Sequence, residues 1–323
     1  MKTSSFLLSA CVLLMIGCSA ASNAVETVPD SSLPSADSTP VSSATPDPIL
    51  RRSIGEIAEN AKGKVGVHAY VIETGETVGL NQNDRFAMQS VVKLPIAMAV
   101  LRQVDEGKLS LDQPVKFDKI ELVPPGMHSP IRERYPDGGA LPLRELLRAA
   151  VSDSDGSSSD VLQRLAGGAE GVQSFIDGLG ISGMKVKYTH KEFFQEWNMQ
   201  YENSATPEAA VRLLQNLWAQ KSAAPAGADQ KELLLLSFMN ETPTGPNRLK
   251  GMLPAGTQVA HKTGTSATRN GVTASTNDAG IITLPNGSHM VIAVFVRDSV
   301  ADEKTRDAVI AGIAKLIWDK WSS

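Results

Sequence analysis

The chain has few means of cross-linking itself and no familiar metal-binding signature. Its two cysteines, Cys11 and Cys18, both lie at the N-terminal edge, so no pair is left to staple the body of the protein. The 5 histidines never fall at metal-ligand spacing, and there is no H-E-x-x-H or cysteine cluster, so no metal is expected. A G-x-x-x-x-G-K loop and a G-x-G-x-x-G turn are also missing, which argues against a nucleotide cofactor and leaves no cofactor expected at all. Nor is there a basic excess: the net charge is -4 and no basic stripe offsets it locally, so no nucleic-acid partner is expected. With 323 residues, 42% of them hydrophobic and 20% charged, what remains is ordinary globular composition with enough length for a sizeable core. Small molecules are the expected partners, and nothing demands more than a monomer.

Met1-Lys2 followed by an apolar run from Phe6 to Gly17 reads as a signal peptide covering residues 1–18, too short to span a bilayer as a mature helix. Met15-Ile16-Gly17-Cys18 resembles a lipobox, with Met15 where Leu is usual, which implies a lipid anchor at Cys18. The alternative is a plain signal peptide cut after Ser22-Asn23-Ala24. Either reading makes the protein exported and periplasmic. Residues 19–48 are rich in Ser, Pro, Ala and Thr and poor in large apolar groups, the composition of a disordered tether that holds a domain off a membrane.

The catalytic body is expected over residues 49–323. Helical spacing runs from Ile49 to Ala61, and strands follow over Val65 to Ile72 and, after a turn at Gly75-Glu76, on to Leu80. From Phe86 to about Asn240 the pattern is mostly helical. Strands return at Gln258 to Thr263, Ala279 to Leu284 and Met290 to Val296, the last two joined by an Asn286-Gly287 hairpin turn, before an amphipathic helix from Asp302 to Trp321. The fold class implied is α/β in the broad α+β sense. An antiparallel sheet from both chain ends (about 49–82 and 256–323) is flanked by helices, and an all-helical subdomain (about 83–255) is inserted between them. A cleft at their junction is where a site would form.

Chemistry concentrates in three short motifs. Ser90-Val91-Val92-Lys93 places a hydroxyl and an amine three residues apart, neighbours on one helix face. Pro95 requires the helix to start shortly before it, so Ser90 sits near the positive end, where free backbone N–H groups can receive an oxyanion. A serine needs a base, and a lysine lodged among Val91, Val92, Leu94 and Ile96 can lose enough of its basicity to serve. Alone, S-x-x-K is weak: Ser182-Gly183-Met184-Lys185 repeats it without any supporting feature. The order is more specific, with Ser154-Asp155-Gly156 after a helical run from Leu143 to Val151, then Lys262-Thr263-Gly264-Thr265 on a strand.

On these motifs, and on Gly245-Pro246-Asn247-Arg248 and Thr276-Asn277-Asp278, the sequence resembles class A β-lactamases within the wider group of penicillin-binding serine enzymes, and looks closest to the branch of the PER- and VEB-type enzymes. The resemblance implies that Ser90 is acylated with Lys93 as its activator, and that Ser154 relays a proton to the leaving nitrogen beside Lys262. It also implies that Thr265 offers an oxyanion donor at a strand edge where Gly264 permits close approach, and that Thr263, Thr265 and Arg248 bind the substrate carboxylate. Asp155 reads as a structural hydrogen-bond acceptor.

Three positions depart from the pattern. Gly156 stands where an asparagine commonly holds the substrate amide, and His128 stands where an aromatic gate is usual at the cleft mouth. The third concerns deacylation, which the family assigns to a loop glutamate; counting back from Gln200-Tyr201-Glu202-Asn203 puts His190 at that place, with Glu192 two residues on and Glu196 further along. Glu192 is the expected base. If His190 takes the place, either an imidazole serves as base or deacylation is slow. The expected activity is β-lactam hydrolysis; the alternatives are a D,D-peptidase of the penicillin-binding type and a slowly deacylating β-lactam receptor.

Overall fold

The computed structural model describes residues 47–223 and 231–322, so the signal peptide, the Cys18 lipobox and nearly all of the tether lie outside the described residues. The first helix, α1 (Pro48–Ala58), starts at an Asp47 cap whose carboxylate accepts from Ile49 N and Leu50 N, and buries Leu50, Ile54 and Ala58 along one stripe. A short 3-10 turn carries the helical path on to Ala61. The hairpin of β1 (Lys64–Val71) and β2 (Thr77–Leu80) follows.

The middle of the chain holds β3 (Phe86–Ala87), α2 (Lys93–Asp105), β4 (Pro114–Asp118), α3 (Pro130–Arg134), β5 (Gly138–Pro142), α4 (Leu143–Val151), α5 (Gly156–Leu165) and α6 (Gly168–Gly178). It continues through β6 (Met184–Lys185), α7 (His190–Phe193), β7 (Ser204–Ala205), α8 (Pro207–Ala223) and α9 (Lys231–Asn240). The chain then returns to the main sheet with β8 (Val259–Thr265), β9 (Thr268–Arg269), β10 (Val272–Thr283) and β11 (His289–Ser299), and ends on α10 (Glu303–Trp321), capped by Asp302.

In the main sheet the order is β2-β1-β11-β10-β8, with β9 paired to the start of β10 and every pairing antiparallel. Side-chain alternation along the strands makes the sheet a wall between two cores. Val65, Val67, Ile292, Val294 and Val296 pack with Ile54 of α1 and Ile310, Ile313 and Ile317 of α10. Val291, Ala293 and Phe295 face the other way, toward α2, α4, α5 and α8. Helix α2 is buried from Lys93 through Leu101 on all sides, which makes it the axle of the helical part.

Two elements differ from the sequence expectation. The insert also contains short ladders, β4 with β5 and β3-β7-β6, formed from segments too brief to show a period. Strand β10 begins at Val272 rather than Ala279 because the polar run Ser275-Thr276-Asn277-Asp278 is fully buried in the sheet. Each of these side chains has a partner there. Ser275 Oγ donates to Ala87 O and Asn277 Nδ2 donates to Ala87 O and Met88 O, while Thr276 Oγ1 accepts from Arg306 and Asp278 accepts from Leu249 N.

Candidate active site

Ser90 lies in a 3-10 turn, Gln89–Val92, and Lys93 opens α2 directly after it. The approach to the turn is held from two sides. Asn277 of β10 grips the carbonyls of residues 87 and 88, and Met88 N donates to Asn203 O of the loop leading to β7. Gln89 takes a left-handed backbone (φ 50°). Strand β8 passes so close that a Cβ on Gly264 would stand 2.4 Å from Met88 O, which is why a glycine is required there.

Lys93 Nζ donates to Ser90 Oγ at 2.8 Å and to Ser154 O at 2.8 Å, and lies 3.4 Å from Ser154 Oγ. Ser154 Oγ in turn accepts from Lys262 Nζ at 2.9 Å. Ser154 itself sits at φ 60°, between α4 and α5, a conformation disfavoured for a residue with a Cβ. Asp155 holds that bend: its carboxylate accepts from Ser158 N as the cap of α5, and from Ser129 Oγ and Ile131 N of α3. The result is a continuous chain of heavy atoms, Ser90 Oγ, Lys93 Nζ, Ser154 Oγ and Lys262 Nζ, along which protons can move.

Burial sets the charge state of both amines. Desolvation pushes Lys93 down to about 8, with Asp155 and Asp160 opposing the shift. Lys262 lies well below the ordinary lysine range, again through desolvation first and then through the neighbouring Lys93 cation. An ammonium on Lys93 in the same buried site makes the Lys262 proton easier to lose.

These residues open onto a cavity of about 570 Å³ whose wall includes Ser90, Lys93, Ser154, Gly156, His128, His190 and Thr265. His128 is tethered at its mouth by Nε2 to Asp153 O, 2.8 Å. Lys262, Thr263, Gly264 and Arg248 stand behind the wall, supporting it. Arg248 is 3% exposed: Nε donates to Asp307 at 2.7 Å and Nη2 to Thr265 Oγ1 at 2.9 Å, so its charge reaches the cavity through the Thr265 hydroxyl. Thr263 Oγ1 bonds Thr244 Oγ1 at 2.7 Å and is spent on that side.

The loop candidates separate sharply. Glu192 does not enter the cavity: it forms a capping box with Thr189, accepting from Thr189 N at 2.8 Å and Thr189 Oγ1 at 3.0 Å, and is exposed. A glutamate three residues after a threonine is the spacing of a helix start, and that local use draws the side chain away from the site. Glu196 lines the cavity but is exposed. His190 is buried in the wall, 5% exposed, with its ring against Phe193. The repeat of S-x-x-K at Ser182 and Lys185 is exposed and does no comparable work.

Sequence reasoning passed over Asp160, Gln200 and the aromatic pair Phe193 and Phe194. Asp160 accepts from His190 N at 2.7 Å and Lys191 N at 2.9 Å, and Gln200 Oε1 accepts from Gln89 Nε2 at 2.7 Å, so both join the loop to the nucleophile's surroundings. Asp160 lies one helical turn into α5, and the only local signal for it is that Ser159-Asp160 repeats the Ser-Asp pairs Ser152-Asp153 and Ser154-Asp155.

A helical insert on an antiparallel sheet, with a serine, two buried lysines and a second serine at the junction, defines a serine acyl-transfer enzyme. The sequence profile of the Beta-lactamase enzyme family matches residues 49–321, and the chain belongs to that family, in its class A group. It is 38% identical over 270 residues to β-lactamase VEB-1 of Pseudomonas aeruginosa, covering 84% of this chain and 89% of the relative. To the extended-spectrum β-lactamase PER-1 of Pseudomonas aeruginosa it is 39% identical over 269 residues, covering 83% and 86%. Among solved structures, a β-lactamase from Chitinophaga pinensis superposes with a TM-score of 0.81 at 48% identity, covering 84% of this chain and 99% of that one. The TLA-1 extended-spectrum β-lactamase gives 0.81 at 42% identity, covering 85% and 99%.

Proposed function

We propose that the protein is a serine β-lactamase that opens the cyclic amide of β-lactam antibiotics through an acyl-enzyme on Ser90. The observation that carries the reading is the 2.8 Å hydrogen bond between Lys93 Nζ and Ser90 Oγ inside a cavity large enough for a small ligand. A lysine lowered to about 8 presents a neutral fraction at neutral pH, and that amine takes the Ser90 proton as Oγ attacks the ring carbonyl. Backbone N–H groups of Ser90 and Thr265 receive the oxyanion. The ring C–N bond then breaks, the nitrogen takes a proton from Ser154 Oγ, and Lys93 returns one to Ser154 across the 3.4 Å gap. Lys262 stabilises the transient Ser154 alkoxide from 2.9 Å. Thr265, backed by Arg248, binds the substrate carboxylate; Gly156 leaves the substrate amide without the side-chain partner that an asparagine would give.

Purified protein is expected to turn over a chromogenic cephalosporin, and Ser90→Ala to lower kcat/KM by at least ~10⁴-fold with no covalent adduct by intact mass. Turnover that survives in Ser90→Ala would sink the mechanism. A wild-type adduct that persists for hours would favour the receptor reading, and cleavage of a D-alanyl-D-alanine stem peptide the peptidase.

For its location, the reading is export to the periplasm as a monomer, with a lipid on Cys18 supported by the Met15-Ile16-Gly17-Cys18 run. Metabolic labelling with a palmitate analogue, lost in Cys18→Ser, tests it.

A further inference from the structure

His190 forms part of the wall of the Ser90 cavity, yet both of its ring nitrogens are buried without a hydrogen-bond partner. A buried polar atom left unpaired loses its bonds to water without replacement, so such a ring in a reaction cavity calls for a reason. Charged groups face it from each packed element: Lys93 from α2, Lys262 from β8 and Asp160 from α5, with exposed Glu196 on the same loop lining the cavity. Asp160 fixes the His190 turn by accepting two backbone N–H groups, and its Oδ1 stands 3.6 Å from Nδ1. A carboxylate there favours the tautomer with hydrogen on Nδ1, which leaves the Nε2 lone pair free.

The geometry points to His190 as the general base that hydrolyses the Ser90 acyl-enzyme, with Asp160 as its positioning residue. The inference rests on the acyl-enzyme reading above. A water in the cavity gives one proton to Nε2 while its oxygen attacks the ester carbonyl. The imidazolium passes that proton to the Lys93 amine, which acylation left neutral. The tetrahedral intermediate collapses by breaking the bond to Ser90 Oγ, which takes the proton from Lys93, so the sum is ester plus water giving acid plus free serine, with His190 and Lys93 neutral again. Burial first, and the Lys93 cation second, push His190 down to about 4, which keeps the ring neutral and able to accept across the neutral range. Below that pH the ring is protonated and the base is lost.

The experiment mixes the full chain with benzylpenicillin and follows formation and loss of the adduct by intact mass between pH 3.5 and 8. Wild type should form the adduct and clear it, with clearance falling as pH drops through about 4. His190→Ala should form it within about 3-fold of the wild-type rate and clear it ~10²–10⁴-fold more slowly, the ordinary worth of a general base. Added imidazole should restore part of the clearance in His190→Ala, a rescue that a merely structural role would not give. Asp160→Asn should slow clearance and move its low-pH limb further down, because the carboxylate raises the ring's affinity for a proton. Clearance by His190→Ala at the wild-type rate overturns the proposal, as does loss of adduct formation in His190→Ala alone, which would move the residue into acylation. Slowed clearance in Glu196→Gln with none in His190→Ala assigns the role to Glu196 and overturns it too. If wild type itself forms no adduct, the acyl-enzyme reading fails and this inference falls with it.

Discussion

The two sides of the cavity are built by different means. On the acylation side, Ser90, Lys93, Ser154 and Lys262 are linked at 2.8–3.4 Å, carried by the turn into α2, the start of α2, the bend between α4 and α5, and β8, and locked from behind by Asn277 and Asp155. On the other side the loop from residue 187 to 203 consists of one four-residue helix and a 3-10 turn, held by Asn203, Gln200 and Asp160 at its ends while its central ring, His190, bonds nothing. Rigid elements fix the half-reaction that makes the covalent bond, and a side chain with unused hydrogen-bonding capacity faces the half-reaction that breaks it. Precision in one half therefore does not guarantee speed in the other.

The difference can be tested by perturbing each side in turn. Ser154→Ala should lower the rate of adduct formation ~10²–10⁴-fold, the range for removal of a proton-transfer group, while leaving clearance of preformed adduct less affected; stopped-flow acylation against adduct decay reads the contrast. An equal slowing of both phases would mean that the two halves share the relay.

Arg248→Ala leaves Asp307 buried without its partner and should cost about 3–5 kcal/mol of stability, read from chemical denaturation, together with a higher KM. Unchanged stability would show that water replaces the guanidinium and that the acylation side is less rigid than its contacts imply. Glu192→Gln should be the mildest: turnover within about 3-fold of wild type, and a loss of no more than about 1 kcal/mol through the weakened capping box. A collapse of turnover in that variant would return Glu192 to the chemistry and erase the contrast.

Much of the acylation side was legible because its signals are local. Ser90 and Lys93 follow from three-residue spacing and a proline that fixes the helix start; Lys262 and Gly264 follow from the contiguous Lys262-Thr263-Gly264-Thr265 run on a strand that lies at the sheet edge. Ser154 was legible only by its order between those two motifs, since its left-handed backbone leaves no pattern of its own. Arg248 was read as a direct ligand and is instead a buried support, because nothing local reveals that Asp307, 59 positions away, claims its Nε. The loop was read least well. Glu192 has the residue type that catalysis needs at nearly the right place, yet the same spacing from Thr189 is that of a capping box, and the local bond wins over the distant site. Whether His190 points inward depends on Asp160 of α5, three elements earlier, a tertiary relation that spacing cannot carry.

Asn277 ties two properties together that are usually separate. Its amide reaches Ala87 and Met88 only while β10 keeps its register against β8 and β11; a slip of one residue would turn Asn277 toward α10 and present Thr276 or Asp278 to the serine turn instead. A chain that has paired its sheet wrongly therefore cannot also hold Ser90 in place. Catalytic competence is then a reporter of strand register, and recovery of adduct formation during refolding would time the moment at which the sheet locks.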